Sequence, residues 1–163
     1  MNNNISVLIA DDNEDLAKEL SSYIGAKPNM TVTAIATDGE DAYTLISQTR
    51  PDIIILDLVM PKLDGIGVLK RMQTLTFDKK PKIIVYSVSS IAIKMAASVS
   101  PLIDYCLLKP QSNERVYEVI QDLTSVPMVS AIPLSHNITA QKAEETDLET
   151  IVTDFIHELG VPA

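Results

Sequence analysis

The feature that most constrains the fold is a regular alternation of short apolar runs with segments that carry a helical apolar stripe. The runs are rich in β-branched residues, and we predict them as strands: Ile5–Ala10, Met30–Ala36, Ile53–Leu56, Lys82–Tyr86 and Ile103–Leu108. Short strands that alternate with helices and are apolar on both faces are typical of a parallel sheet covered by helices on both sides. The sequence therefore predicts an α/β fold, a doubly wound five-stranded parallel sheet with five helices.

The helices between these runs are predicted from apolar residues spaced three and four positions apart. We place them at Glu14–Ile24, from Thr37 to Pro51, at Leu63–Leu75, at Ala92–Val99 and around Val116–Leu123. The second helix opens on Thr37-Asp38-Gly39-Glu40, the Ser/Thr-x-x-Glu pattern of a capping box, which predicts Thr37 as its N-cap.

Residues 125–163 differ in composition and pattern from the rest of the chain. Residues 125–146 carry Pro127, Pro133 and many small polar residues, so we predict a linker there. Residues 147–163 carry an apolar stripe from Leu148 to Leu159, which predicts an amphipathic helix. We therefore expect one domain over residues 1–124, a linker, and then the leading helix of a further domain that the chain does not include.

Charge and cysteine content limit the classes of partner. The net charge is −9, which argues against a direct grip on a nucleic-acid backbone or an anionic membrane. The single cysteine excludes an internal disulfide and fits a reducing compartment. No window approaches the ~18 apolar residues of a membrane span. We expect a cytoplasmic protein.

Polar side chains follow four of the predicted strands. Asp11 and Asp12 come after the first strand, Asp57 after the third, Ser87 after the fourth and Lys109 after the fifth. The carboxyl ends of parallel strands meet at one edge of a sheet, where such folds bind their ligands. Crowded carboxylates repel one another unless a cation lies among them, and Mg²⁺ favours oxygen ligands and phosphoryl oxygens. This set predicts carboxyl–phosphate chemistry with Mg²⁺, in which the Asp57 carboxylate is the nucleophile.

The pattern of these residues resembles the motifs of a known protein family. The resemblance rests on Asp11-Asp12, Leu56-Asp57-Leu58-Val59-Met60-Pro61 with Asp64-Gly65, Ser87, and Lys109-Pro110. They are similar to the receiver domain of bacterial response regulators, a flavodoxin-like fold, over roughly residues 5–124.

The resemblance implies a role for each site residue. Asp57 would accept a phosphoryl group from a histidine kinase or a His-phosphorylated phosphotransferase. Asp11, Asp12, Asp57 and the backbone carbonyl of Val59 would bind Mg²⁺. Lys109 would contact the phosphoryl group, and Ser87 would move toward it as the switch.

The sequence is most similar to those of the response regulators that control sporulation. Residues 155–163, FIHELGVPA, resemble the beginning of the DNA-binding domain in those proteins. The resemblance implies a transcription regulator that forms a homodimer on phosphorylation. It would bind DNA only through the effector domain outside this chain, and it would not bind membranes.

The sequence departs from the receiver pattern on the face that transmits the signal. Cys106 stands where receivers usually carry an aromatic residue, with Tyr105 one position earlier, and Gln111 stands where phenylalanine is common. We take Ser87, Tyr105 and Cys106 as the switch face. Because successive strand residues point to opposite faces, we expect Tyr105 on the side of the sheet away from Ser87.

Two other functions use a similar residue set. A haloacid-dehalogenase-like phosphohydrolase also has an aspartate nucleophile after a strand, but it carries a second aspartate two residues later, where this chain has Val59. We therefore expect no enzyme activity. A single-domain phosphorelay intermediate would need no effector, and the apolar stripe in residues 147–163 argues against it.

Overall fold

The computed structural model describes residues 3–125, and every structural statement below concerns that part of the chain. The elements alternate in the order β1 Ile5–Ala10, α1 Glu14–Gly25, β2 Met30–Ala36, α2 Gly39–Thr49, β3 Ile53–Leu56, α3 Gly65–Met72, β4 Lys82–Ser87, α4 Ser90–Val99, β5 Ile103–Leu108 and α5 Asn113–Thr124. The strands form one parallel sheet in the order β2-β1-β3-β4-β5. The predicted doubly wound sheet with five helices is confirmed for these residues.

The sheet separates two apolar layers. On one face, α2, α3 and α4 pack over side chains such as Leu8, Ile54 and Val85. On the other face, α1 and α5 pack over Ile9 and Ile55 together with their neighbours. The strand order reverses between β1 and β3, and a crevice at such a point is where doubly wound sheets bind ligands.

Strand β3 lies at the centre of the sheet, and this position explains why its sequence is apolar. Ile53 to Leu56 are all at most 2% exposed, and their side chains alternate between the two layers. Burying each of these side chains contributes about 1.5–3 kcal/mol of transfer free energy. Asp57 follows directly and is therefore held at the tip of the most deeply buried strand.

Three predicted helix starts are wrong: α4 begins at Ser90, with Ser89 as its N-cap, rather than at Ala92, and at α2 and α3 an aspartate caps the helix. The N-cap of α2 is Asp38 and not Thr37, because the Asp38 carboxylate accepts a hydrogen bond from Asp41 N at 2.8 Å. Aspartate is a stronger N-cap than threonine, and Glu40 pairs with Arg71 at 2.6 Å.

Helix α3 begins at Gly65 rather than at the predicted Leu63. The Asp64 carboxylate caps it by accepting from Gly67 N at 2.7 Å. The helix ends at Met72, and turns replace the expected final residues up to Leu75. Leu63 and Asp64 belong to the loop that follows Asp57.

The predicted linker over residues 125–146 and the predicted helix in residues 147–163 lie outside the described residues, apart from Ser125. Within residues 3–125, no helix is both long enough and apolar enough to cross a membrane.

Candidate functional site

The predicted acidic residues come together at the carboxyl edge of the sheet. Asp11 follows β1 and Asp57 follows β3, and the two strands are joined there by a hydrogen bond from Asp57 N to Ala10 O at 2.9 Å. One carboxylate oxygen from each of Asp11, Asp12 and Asp57 lies within 4.8 Å of the other two. Asp11 and Asp57 are buried, whereas Asp12 is exposed at the rim. The three carboxylates therefore form one pocket that is open on the Asp12 side.

Lys109 enters this pocket from the end of β5. Its ammonium Nζ lies 2.6 Å from Asp11 Oδ2 and 3.0 Å from Asp57 Oδ2, and the lysine side chain is only 8% exposed. Burial acts to lower the pKa of Lys109, but the hydrogen bonds to Asp11 and Asp57 outweigh it and raise that pKa. The ammonium therefore stays charged and bridges two carboxylates.

Burial shifts the pKa of the neighbouring Asp11 in the opposite direction, upward. The pKa of Asp11 is raised, chiefly because burial disfavours the carboxylate, and the negative charge of Asp57 adds to this. The Lys109 ammonium and the hydrogen bond from Asn13 N counteract the rise only in part. Because three carboxylates face one ammonium, the pocket has more negative charge than Lys109 neutralises.

The residues present fit a hard divalent cation. Mg²⁺ prefers oxygen ligands, uses one or two carboxylates together with waters, and is often completed by a phosphoryl oxygen. The three carboxylates supply such oxygens, and the exposed position of Asp12 leaves room for water ligands. Val59, two residues after Asp57, lies in the adjoining loop with its side chain 51% exposed. The binding of Mg²⁺ by these four residues stays a prediction.

Backbone contacts hold the end of β3 and the loop after Asp57 together. Asp57 Oδ1 accepts a hydrogen bond from Val59 N at 3.0 Å, and Gly65 N donates to Leu58 O at 3.0 Å. A Cβ atom at Gly65 would lie 2.4 Å from the Asp57 carbonyl oxygen. Only glycine allows α3 to start so close to the backbone of Asp57.

The start of α2 holds the far side of the same loop. Lys62, which has a φ of 66°, donates to Asp38 Oδ2 at 2.9 Å. A Cβ atom at Gly39 would lie 1.7 Å from the Leu63 carbonyl oxygen, so this contact also requires glycine. The hydrogen bond from Asp41 N and the Lys62 ammonium lower the pKa of Asp38. No sequence pattern predicts the contact of Lys62 with Asp38, because the two residues become neighbours only in the folded chain.

Ser87 ends β4 next to the pocket, with no exposed surface. Among the described residues, its hydroxyl Oγ is a buried polar side-chain atom with no hydrogen-bond partner. Leaving such a group without a partner costs about 1–3 kcal/mol. A ligand oxygen that enters the pocket could provide the partner, so the orphan hydroxyl is compatible with the predicted switch role.

Tyr105 and Cys106 lie on opposite sides of β5. Cys106 packs with the layer under α4, and burial raises the pKa of its thiol. The Tyr105 hydroxyl accepts a hydrogen bond from Arg115 on α5 at 3.0 Å, on the other side of the sheet. An open groove of about 350 Å³ lies between α4 and β5, and its lining includes Ala97, Cys106 and also Tyr105.

One pair of contacts near Lys109 was not predicted from the sequence. The buried Tyr86 hydroxyl bonds to both backbone groups of Gln111, which lies two residues after Lys109. The only signals were a tyrosine at the tip of an apolar strand and the glutamine in place of phenylalanine. Neither signal shows that the two residues meet.

Comparison with known proteins identifies the family. Residues 7–121 of the 163 match the response regulator receiver domain. The receiver domain of AraT, a response regulator from Geobacillus stearothermophilus, is 31% identical with a TM-score of 0.63, and the match covers 74% of this chain and 92% of that one. A LuxR-family DNA-binding response regulator from Staphylococcus aureus is 26% identical with a TM-score of 0.66, covering 74% and 99%.

A third similar structure is a complex that includes BeF₃ and Mg²⁺. The CheX–CheY–BeF₃–Mg²⁺ complex from Borrelia burgdorferi is 26% identical with a TM-score of 0.63, and the match covers 75% of this chain and 90% of that one.

Proposed function

The chain belongs to the response regulator receiver domain family, and we propose that this receiver is switched by a phosphoryl group carried on Asp57. The observation that carries the proposal is the position of the Asp57 carboxylate. It lies at the tip of a buried strand, in one cluster with Asp11 and Asp12, and 3.0 Å from the Lys109 ammonium. A fixed nucleophile between a cation site and an ammonium is the arrangement that phosphoryl transfer requires.

In the proposed reaction, a carboxylate oxygen of Asp57 attacks the phosphorus of a phosphohistidine on the donor protein. The new O–P bond forms as the N–P bond breaks, and the donor imidazole leaves with the electron pair of that bond. The Lys109 ammonium stabilises the negative charge on the phosphoryl oxygens. The hydrogen bond from Val59 N to Oδ1 fixes the orientation of the carboxylate. Mg²⁺, when bound by Asp11, Asp12, Asp57 and the Val59 carbonyl, neutralises further phosphoryl charge.

The conformational switch is proposed to start at Ser87. A phosphoryl oxygen offers the buried Ser87 hydroxyl the partner that it lacks among the described residues. The movement of Ser87 toward that oxygen carries the loop between β4 and α4 with it. A local charge change thereby becomes a change in the position of a surface element.

Homodimerisation is the proposed readout, and the surface of α4 supports it. Ile91, Met95 and Val99 follow one another at four-residue spacing on this helix, and they are 52%, 55% and 46% exposed. Val88 and Leu108 nearby are 65% and 45% exposed. A second copy that covered this apolar surface would remove it from water.

We further propose that the protein acts as a cytoplasmic transcription regulator of sporulation. Its support is the sequence similarity of residues 155–163 to the start of an effector domain, together with the match to a DNA-binding response regulator. DNA would be bound only through that effector. The receiver itself would have no enzyme activity, since Val59 stands where a phosphohydrolase needs a second aspartate.

The proposal is tested by locating the phosphoryl group. The protein is incubated with Mg²⁺ and a small phosphodonor such as acetyl phosphate, and the acyl phosphate is then reduced with borohydride. Reduction converts a phosphorylated aspartate to homoserine, which peptide mass spectrometry detects. We expect the modification at Asp57 alone. A modified residue elsewhere with Asp57 intact would reject the proposal.

A further inference from the structure

Tyr86 joins the switch strand to the loop that carries the pocket lysine. It comes directly before Ser87 on β4, and the residue is 3% exposed in the layer under α1 and α5. Its hydroxyl donates to the carbonyl oxygen of Gln111 at 3.2 Å and accepts from the N–H of Gln111 at 3.1 Å. A hydroxyl has one donor and two acceptor sites, so both bonds form at once.

The same tyrosine lies beside the ammonium of Lys109. Nζ of Lys109 is 5.3 Å from the centre of the Tyr86 ring, within the ~6 Å over which a cation is attracted to an aromatic face. Lys109 N donates to Ser87 O at 2.9 Å, and Gln111 Nε2 donates to Leu108 O at 2.9 Å. The backbone is therefore held on both sides of Lys109, and the Tyr86 ring lies near its charged end.

We propose that Tyr86 is the positioning residue for Lys109. A lysine side chain is long and flexible, so its ammonium stays in one position only if the backbone and the side-chain conformation are both held. The two bonds to Gln111 fix the backbone beyond Lys109, and the ring favours an ammonium directed toward Asp11 and Asp57. The claim that positioning matters for phosphoryl uptake rests on the proposed function, whereas the geometry does not.

The first test is the substitution Tyr86→Phe, which keeps the ring and removes only the hydroxyl. In the protein without phosphodonor, hydrogen exchange at Gln111 N–H becomes faster, while Lys109 N–H stays protected by Ser87 O. Phosphoryl uptake from acetyl phosphate slows about five- to hundredfold, the range that corresponds to the loss of two hydrogen bonds. Tyr117→Phe is the matched control, because the Tyr117 hydroxyl accepts from Gln121 on the surface of α5.

The second test separates positioning from core packing by measuring Mg²⁺ affinity with calorimetry. An ammonium held among the carboxylates repels Mg²⁺, so Tyr86→Phe, which loosens Lys109, raises the affinity. The same substitution in the Lys109→Met background leaves the affinity unchanged, because the charge that it positions is gone.

Two results would overturn the inference. One is a Tyr86→Phe protein that matches Tyr117→Phe in exchange, uptake and Mg²⁺ affinity. The other is an effect of Tyr86→Phe on Mg²⁺ affinity that persists without Lys109. If the wild-type protein takes up no phosphoryl group, the proposed function fails, and the exchange and calorimetry measurements still decide whether Tyr86 positions Lys109.

Discussion

Nζ of Lys109 lies 2.6 Å from Oδ2 of Asp11, although the two residues are 98 positions apart in the chain. The same ammonium lies 3.0 Å from Asp57, so two buried carboxylates share one cation. With Asp12 at the rim, three carboxylates face one ammonium, which leaves an excess of negative charge. This imbalance is the physical basis for the expectation that the pocket takes up first a metal ion and then a phosphoryl group.

The first prediction concerns the metal. Asp12→Asn should weaken Mg²⁺ binding by at least about tenfold, because a site with few protein carboxylates loses much of its charge. Calorimetric titration measures the change. Asp15→Asn is the matched control, since Asp15 is an exposed acid in the first turn of α1 outside the cluster. Equal affinities for Asp12→Asn and the wild-type protein would remove Asp12 from the site.

The second prediction separates the two cations of the pocket. Lys109→Met should raise Mg²⁺ affinity, because it removes a positive charge from the carboxylates. The same substitution should slow phosphoryl uptake, because the phosphoryl oxygens lose their ammonium partner. Lys18→Met, at a lysine whose side chain is 67% exposed on α1, is the control and should change neither quantity. Weaker Mg²⁺ binding by a folded Lys109→Met protein would contradict the assigned geometry.

The third prediction concerns the close approach of α3 to the backbone of Asp57. Gly65→Ala places a Cβ atom 2.4 Å from the Asp57 carbonyl oxygen, and this backbone contact can be relieved only by moving the loop. We expect a loss of about 1–3 kcal/mol in the free energy of unfolding, measured by urea denaturation. Gly25→Ala is the control, because nothing lies within 4 Å of its added Cβ. Equal stability of the two variants would mean that the approach is not required.

The fourth prediction concerns the route of the signal. Ser87→Ala should impair phosphorylation-dependent dimerisation, whereas Tyr105→Ala should leave it largely intact. The reason is that Tyr105 contacts Arg115 on α5, on the side of the sheet away from Cys106. Sedimentation with and without phosphodonor measures both variants. Loss of the response in a Tyr105→Ala protein that still folds and takes up the phosphoryl group would refute this route.

The strands were predictable from the sequence because each is a short apolar run between polar residues. The observed limits of β1, β2, β3 and β5 equal the predicted ones, and β4 extends by one residue to Ser87. Helix starts were less predictable, because several residues near each start can serve as the cap. At α2 the choice between Thr37 and Asp38 depended on the loop after β3, whose Lys62 pairs with the Asp38 carboxylate.

The composition of the pocket was also predictable, because parallel strands bring their carboxyl ends to one edge. Asp11, Asp57 and Lys109 each follow a strand directly, so the topology alone places them together. The supporting residues were not predictable. The contact of Tyr86 with Gln111 joins a strand to a loop 25 positions away, and no local pattern encodes it.

The central claim is that Asp57 accepts the phosphoryl group, and intact-mass spectrometry tests it most directly. Wild-type protein and Asp57→Asn are incubated with Mg²⁺ and acetyl phosphate, and their masses are compared before and after. The account predicts that the wild-type protein gains the mass of one phosphoryl group and that Asp57→Asn gains none. Uptake of one phosphoryl group by Asp57→Asn at the wild-type level would contradict it.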